Sequence, residues 1–210
     1  MGLGPIRDTV GYAIPVFKKV FELFTGGFHF TRNDNVELPA GCLLNVNEAT
    51  RLATPIKLGV IHTTPTGAAL PIRVFKGSLL EVGDYIAVAT SGGTAGIATA
   101  ISAIDTSPAD WDLISIGSGF ADFGASGAAT GDLLIHCATG AASGAHSSFI
   151  TANTFSAFDT TVESDGQVNG IVRGTIYANR AHRGYLNNVR TRYTALLADL
   201  PATVFISTSS

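Results

Sequence analysis

Val82-Gly83-Asp84-Tyr85-Ile86-Ala87-Val88 opens as a turn and continues as a strand. Glycine lacks a Cβ and accepts positive φ without penalty, so it marks the reversal. The aromatic and β-branched run behind it fits a pleated, half-buried surface. The same order recurs at Pro39-Ala40-Gly41-Cys42-Leu43-Leu44 and at Thr130-Gly131-Asp132-Leu133-Leu134-Ile135. Each glycine is expected at positive φ, with the chain entering the core directly after it.

Outward from these three points, further apolar runs read as strands at Ile56–His62, Ile72–Phe75, Ala98–Ile104, Leu113–Ile116, Gly170–Tyr177 and Thr203–Ser207. Turn signals recur roughly every 8–15 residues, which predicts a sandwich or barrel. Residues 1–35 read as a short helix or an extended arm, with Val16, Val20 and Phe24 at helical spacing after Pro15. Thr191–Leu200 is the best helix candidate: Tyr193, Leu196, Leu197 and Leu200 make one apolar face and Pro201 stops it. The expected fold is mainly β, a sandwich or barrel-like β-domain with an N-terminal arm and one short C-terminal helix. Its expected segments are a docking arm at 1–35, a β-rich domain at 36–148 and a C-terminal part at 149–210.

The composition agrees. The chain is 46% hydrophobic but only 14% charged, against roughly 25% charged in ordinary domains. Long exposed helices need Glu, Lys and Arg on their wet face, and this chain is poor in them. No run reaches the ~18 apolar residues of a membrane span. Arg7, Asp8, Lys18, Lys19 and Glu22 break the pattern of a secretory leader. Cys42 and Cys137 sit far apart in apolar runs and read as buried thiols. These features suit a cytoplasmic origin.

Charge is segregated along the chain. Gly77 to Val172 contains no Lys or Arg but ten acids. The flanks hold all 13 basic residues against 6 acids, a net of +7. Either the middle is a solvated acidic surface with arginines in local pairs, or the basic flanks dock on a partner while the middle faces away. The second reading selects Tyr12, Phe17 and Phe21 as apolar contacts, with Arg173, Arg180, Arg183, Arg190 and Arg192 as charged ones. Nucleic acid is not the expected partner, because its readers carry a basic excess and this chain has a net charge of −3.

Motifs for catalysis or metal binding are missing from the sequence. His29, His62, His136, His146 and His182 are scattered, none at metal-pair spacing. His136 cannot serve Cys137 as a base if both lie on one strand, since neighbours point to opposite faces. Ser91-Gly92-Gly93-Thr94-Ala95-Gly96 has no lysine after it, and Gly117-Ser118-Gly119 lacks the third glycine of a dinucleotide fingerprint. Asp105, Asp110 and Asp112 flank Trp111 in a loop and are the best place for a hard cation, but lack the spacing of a calcium loop. Asp105 fits an Asx turn, and Trp111 is expected to anchor that loop in the core. The expectation is a non-enzymatic binding protein without cofactor or metal.

The run Lys76-Gly77-Ser78-Leu79-Leu80-Glu81-Val82-Gly83-Asp84-Tyr85-Ile86, then Ile104-Asp105-Thr106-Ser107 and Gly131-Asp132-Leu133-Leu134, resembles head-decoration and head-fibre proteins of tailed phages, especially those infecting Bacteroides-like bacteria. The similar end is Val172-Arg173-Gly174-Thr175-Ile176-Tyr177, a short helix and a last strand. The resemblance spans about residues 36–207. It implies an auxiliary capsid protein on the virion exterior, usually a homotrimer, whose partners are the major capsid protein and its own copies. It supplies no catalytic residues. The alternative is a carbohydrate- or receptor-binding module of a fibre or adhesin, using Trp111, Phe120 and Tyr185 in a groove. An enzyme of glycan or polyester hydrolysis is a third class, without a motif to support it.

Overall fold

The computed structural model describes residues 5–7, 13–24, 27–31, 36–65, 71–90, 93–116, 128–137, 151–162, 166–181 and 185–207. Tyr12, Phe120, His146, His182 and Arg183 lie outside the described residues. In chain order the first strands are β1 (Pro5–Arg7), β2 (Ala13–Pro15), β3 (Phe17–Leu23), β4 (Phe28–Phe30), β5 (Val36–Leu38), β6 (Leu43–Asn47) and β7 (Leu52–Pro55). Next come β8 (Leu58–Val60), β9 (Ile72–Phe75), β10 (Tyr85–Thr90), β11 (Gly93–Asp105), β12 (Trp111–Ile116) and β13 (Leu133–Cys137). The last are β14 (Thr154–Phe155), β15 (Thr160–Val162), β16 (Gln167–Val168), β17 (Ile171–Tyr177), helix α1 (Leu186–Arg192) and β18 (Val204–Ser207). The fold is mainly β, as the composition required.

The chain forms two compact units. One comprises Met1–Ile56, Thr151–Asn187 and Ala195–Ser210; the other comprises Lys57–Ile150 and Asn188–Thr194. These are not the sequential segments 1–35, 36–148 and 149–210. The reason is strand pairing between chain ends: β17 is hydrogen-bonded to β3 on one side and β18 on the other. The first unit also holds the sheet β14-β6-β7-β4-β16, and Phe28, Leu38, Leu43, Leu44 and Phe155 are fully buried in it.

The second unit is a small closed barrel. Its six strands run β8-β13-β10-β11-β12-β9, every neighbouring pair antiparallel. An antiparallel bridge between Ile61 and Val74 joins the two ends, with His62 N–H donating to the Arg73 carbonyl at 2.9 Å. Closure removes the unpaired edges that a flat sheet exposes. Alternate residues point inward: Ile72, Val74, Ile86, Val88, Ile101, Ile114, Ile116 and Leu134 form one apolar core with Ile61, Leu80 and Ala128. Side chains fill a barrel this narrow.

The three glycine turns are one device used three times. Cys42, Asp84 and Asp132 N–H donate to the carbonyls of Pro39, Glu81 and Ala129 at 3.3, 3.1 and 3.0 Å. Gly41, Gly83 and Gly131 stand at the third turn position with φ of 80°, 93° and 89°, the geometry of a type II turn. Each turn then grips one residue of another segment in both directions. Gly41 N–H bonds Ser156 O while Ser156 N–H bonds Cys42 O. Gly83 and Asp84 hold Ile101 in the same way, and Gly131 and Asp132 hold Ile61.

Several expectations need correction. The N-terminal run is not helical: Phe17–Leu23 is a strand against β17, where β-branched and aromatic residues gain ladder bonds that a lone helix would not supply. The C-terminal helix begins earlier than Thr191, because its buried stripe is Leu186, Val189 and Leu196, with Tyr193 half-buried. It ends as an α-helix at Arg192 and passes into a 3₁₀ turn at Thr194–Leu197. Trp111 does not anchor the core. Strand alternation turns Asp112, Ile114 and Ile116 inward and leaves Trp111 on the half-buried outer side. Both cysteines are buried free thiols, as expected. Among the described residues no helix is long and apolar enough to cross a membrane.

An alanine Cβ at Gly83 would meet nothing within 4 Å, whereas at Gly41 it would come within 2.4 Å of Val16 Cγ1. Gly83→Ala should therefore cost only the left-handed backbone, about 1–2 kcal/mol. Gly41→Ala should cost more by about 1–3 kcal/mol of overpacking. Denaturant unfolding, followed in each unit, checks that order; a Gly83 variant as damaged as the Gly41 variant contradicts it.

Candidate functional site

Three features carry exposed or buried chemistry. The first is the outer face of the β3–β17 pair, built from opposite ends of the chain. The register sets Arg173 opposite Glu22. Phe21 is 52% exposed, a high value for a phenylalanine. Lys19 Nζ lies 4.3 Å from its ring centroid and the Arg173 guanidinium lies 5.0 Å from it. Cations over an aromatic face gain about 0.5–1 kcal/mol each at exposed sites. Two positive charges are thereby held on one apolar platform open to water.

The other docking candidates are distributed differently. Phe17 is buried and pairs with Ile176, so its ring serves this chain's own core. Arg180 is half-buried over the Tyr177 ring at 4.5 Å. Arg190 is half-buried in α1. Arg192 Nη1 lies 3.6 Å from Asp132 Oδ1. Tyr12 and Arg183 fall outside the described residues. Tyr185, offered as a sugar platform, is buried.

The second feature is a charged layer below the apolar core of the barrel. Lys57 is 2% exposed, yet Nζ contacts Glu81 Oε2 and lies 3.3 Å from Asp84 Oδ2. Asp84 is buried, and its Oδ2 also accepts the Glu81 N–H at 2.8 Å, capping the type II turn from within. His136 Nε2 faces the other oxygen, Oδ1, at 3.7 Å. Backbone pairing explains the meeting. His136 N–H bonds the Lys57 carbonyl, and His136 is in register with Ile86, two residues past Asp84. Alternation then puts Lys57, Asp84 and His136 on the inward face.

Asp132 repeats the cap: its Oδ2 accepts the Ala129 N–H at 2.8 Å. Its Oδ1 is buried without a hydrogen bond among the described residues, and Arg192 is the cation nearby. Asp112 is a third inward carboxylate, bonded by Lys76 Nζ at 2.7 Å. Lys57, Lys76 and Arg192 all come from outside the stretch that lacks bases. Part of the charge segregation is therefore spent on local pairs inside this unit.

Asp105, Asp110 and Asp112 do not converge on a cation. Asp105 Oδ1 accepts the Ser107 N–H at 2.9 Å in the expected Asx turn, and this bond holds its carboxyl below the ordinary range. Asp112 is committed to Lys76. Among the described residues no three His, Cys, Asp or Glu side chains are grouped to hold a metal. Sequence reading missed the Lys57–Glu81–Asp84–His136 layer. Its signal was a lone lysine in an apolar run and the Glu-x-Gly-Asp spacing, neither of which announces a partner.

Comparison with family models, curated proteins and solved structures finds no match to the chain.

A further cluster lies on the outside of the barrel. His62 packs edge-on against Phe75 at 4.7 Å and lies 5.2 Å from the Trp111 ring, while Arg73 sits 5.0 Å over Trp111. Phe75 is 40% exposed. The opposite wall of the unit carries Cys137, whose thiol burial pushes up to about 11. Burial likewise raises the Tyr193 hydroxyl, with Cys137 adding to it. The unfolded thiol ionises near 9 and the folded one near 11. The folded state therefore holds the extra proton, and its contribution to stability is complete below pH 9 and lost as pH rises toward 11. Cys137→Ala should flatten that fall in an unfolding series from pH 8 to 11; an unchanged slope contradicts it.

Proposed function

We propose that this is a structural, non-enzymatic virion protein that binds the outside of an assembled phage capsid and decorates or stabilises it. The exposed Phe21 platform with Lys19 and Arg173 carries the reading. Aromatic and arginine anchors of this kind are enriched where protein surfaces meet. The two cations suit carboxylates of a major capsid protein or of a neighbouring copy, and charge complementarity fixes the orientation of docking. The resemblance to head-decoration and head-fibre proteins supports the same reading. Its quoted residues are those of the Gly83 and Gly131 turns and of the Asp105 turn. Assembly as a homotrimer belongs to the same proposal, since closed symmetry lets one surface be covered by copies of itself.

A second reading has its own observation. The His62, Phe75, Trp111 and Arg73 cluster offers partly exposed rings of the sort that stack on sugars, which favours a carbohydrate-binding module.

Co-sedimentation with assembled shells separates the two. Arg173→Ser with Phe21→Ala should weaken shell binding about tenfold or more, as expected for a lost charge-assisted bond of about 1.5–3 kcal/mol. Wild-type binding should fall with added salt. Binding that is unchanged in this variant at both low and high salt overturns the docking face. Retention on a glycan panel that Trp111→Ala abolishes favours the second reading.

A further inference from the structure

Asp84 and Asp132 do the same work in sister turns, each accepting the N–H of the residue three before it. Their surroundings differ in chemistry. Asp132 faces a guanidinium, which is a poor nucleophile. Asp84 faces the primary amine of Lys57 at 3.3 Å, and Lys57 touches a second carboxylate, Glu81. The turn does not need a lysine as its cation, because the Asp132 turn forms with an arginine instead. A buried lysine between two carboxylates, one fully buried and one 31% exposed, is also an expensive way to stabilise a barrel.

The arrangement has the parts of a self-acylating amide site. The amine nitrogen lies 3.3 Å from one oxygen of the carboxyl group, so proximity replaces a bimolecular encounter. Burial excludes the water that would reverse a condensation. The Glu81 N–H on Asp84 Oδ2 is placed to stabilise negative charge on that oxygen as the carbon becomes tetrahedral.

We propose that Lys57 and Asp84 condense within the folded chain into an isopeptide bond, with Glu81 as the catalytic acid–base. The Nζ–Cγ bond forms and the Cγ–Oδ1 bond breaks. Glu81 Oε2 takes protons from Nζ and returns them to the departing oxygen, so one ammonium and one carboxylate become one amide and one water. Glu81 ends as it began, and no oxidant or co-reactant is consumed. Oδ2 remains as the amide oxygen and still accepts the Glu81 N–H, so the turn keeps its cap. His136 faces the departing Oδ1 and positions it. The bond ties the start of β8 to the start of β10 and is independent of what the protein docks on.

The full chain, folded and then denatured, is weighed intact and digested with trypsin. The expected mass is one water below that of the sequence. Trypsin should fail at Lys57 and release Leu52–Arg73 joined to Gly77–Arg173, a fragment without internal Lys or Arg. Glu81→Gln and Lys57→Arg should each give the full mass and separate peptides, with folding checked by circular dichroism. A wild-type chain of unmodified mass overturns the proposal. So does a lost water with the two peptides separate, which a succinimide at Asp165-Gly166 would produce. A cross-link that forms at the wild-type rate in Glu81→Gln overturns the assigned mechanism. The wild-type measurements decide the matter even if a variant does not fold.

Discussion

Ile61 is held from two sides, and the barrel closes through it. Its N–H and carbonyl are both taken by the Gly131–Asp132 turn, and on its other side it bridges Val74. A six-stranded sheet with untied ends would present two edges and a core open to water. The turn grip prevents this by fixing β13 against the continuation of β8, so β9 has a defined strand to meet. The grip itself depends on a backbone that only glycine adopts cheaply, because the third turn position is left-handed. The same constraint fixes Ile101 at the bend of β11 and Ser156 in the other unit.

That turn brings a second requirement. In two of its three occurrences an aspartate accepts a backbone N–H from inside the turn, and both aspartates are buried. A carboxylate taken out of water needs a cation or more hydrogen bonds. Lys57 and Arg192 meet that need, and Lys76 does so for Asp112 at the start of β12. The acidic middle of the chain is therefore not wholly a solvated surface. Some of its carboxylates turn inward, and the bases that match them arrive from distant parts of the sequence. At Lys57 this matching sets a primary amine 3.3 Å from a buried carboxylate oxygen, the pair on which the proposed condensation rests.

The face of β3 and β17 follows a different logic. Phe21 and Arg173 meet only because β17 lies between β3 and β18. Irregular register along that pair lets neighbouring side chains share the outer face. An aromatic ring kept in water by its own cations contributes little to folding. Phe17, four residues earlier, is buried in the core, which shows how sharply one strand divides between inside and outside.

Gly41, Gly83 and Gly131 could be placed at positive φ from sequence, because the demand is local: a turn, a missing Cβ and an apolar strand behind it. The strand runs at Ile72–Phe75, Leu113–Ile116 and Gly170–Tyr177 were legible for the same reason, and so was the Asx turn at Asp105. The helix was misplaced because two of the three buried residues of its stripe, Leu186 and Val189, lie before Thr191–Leu200. Trp111 was misjudged because its side of β12 is fixed by the neighbours β9 and β11, not by its own apolarity. Sequence by itself determined a β-rich chain punctuated by glycine turns, since these are properties of a few adjacent residues. Only the tertiary structure decided that the sheet closes, that Lys57 faces Asp84 and that Phe21 meets Arg173, since each rests on hydrogen-bond register between segments far apart in the chain.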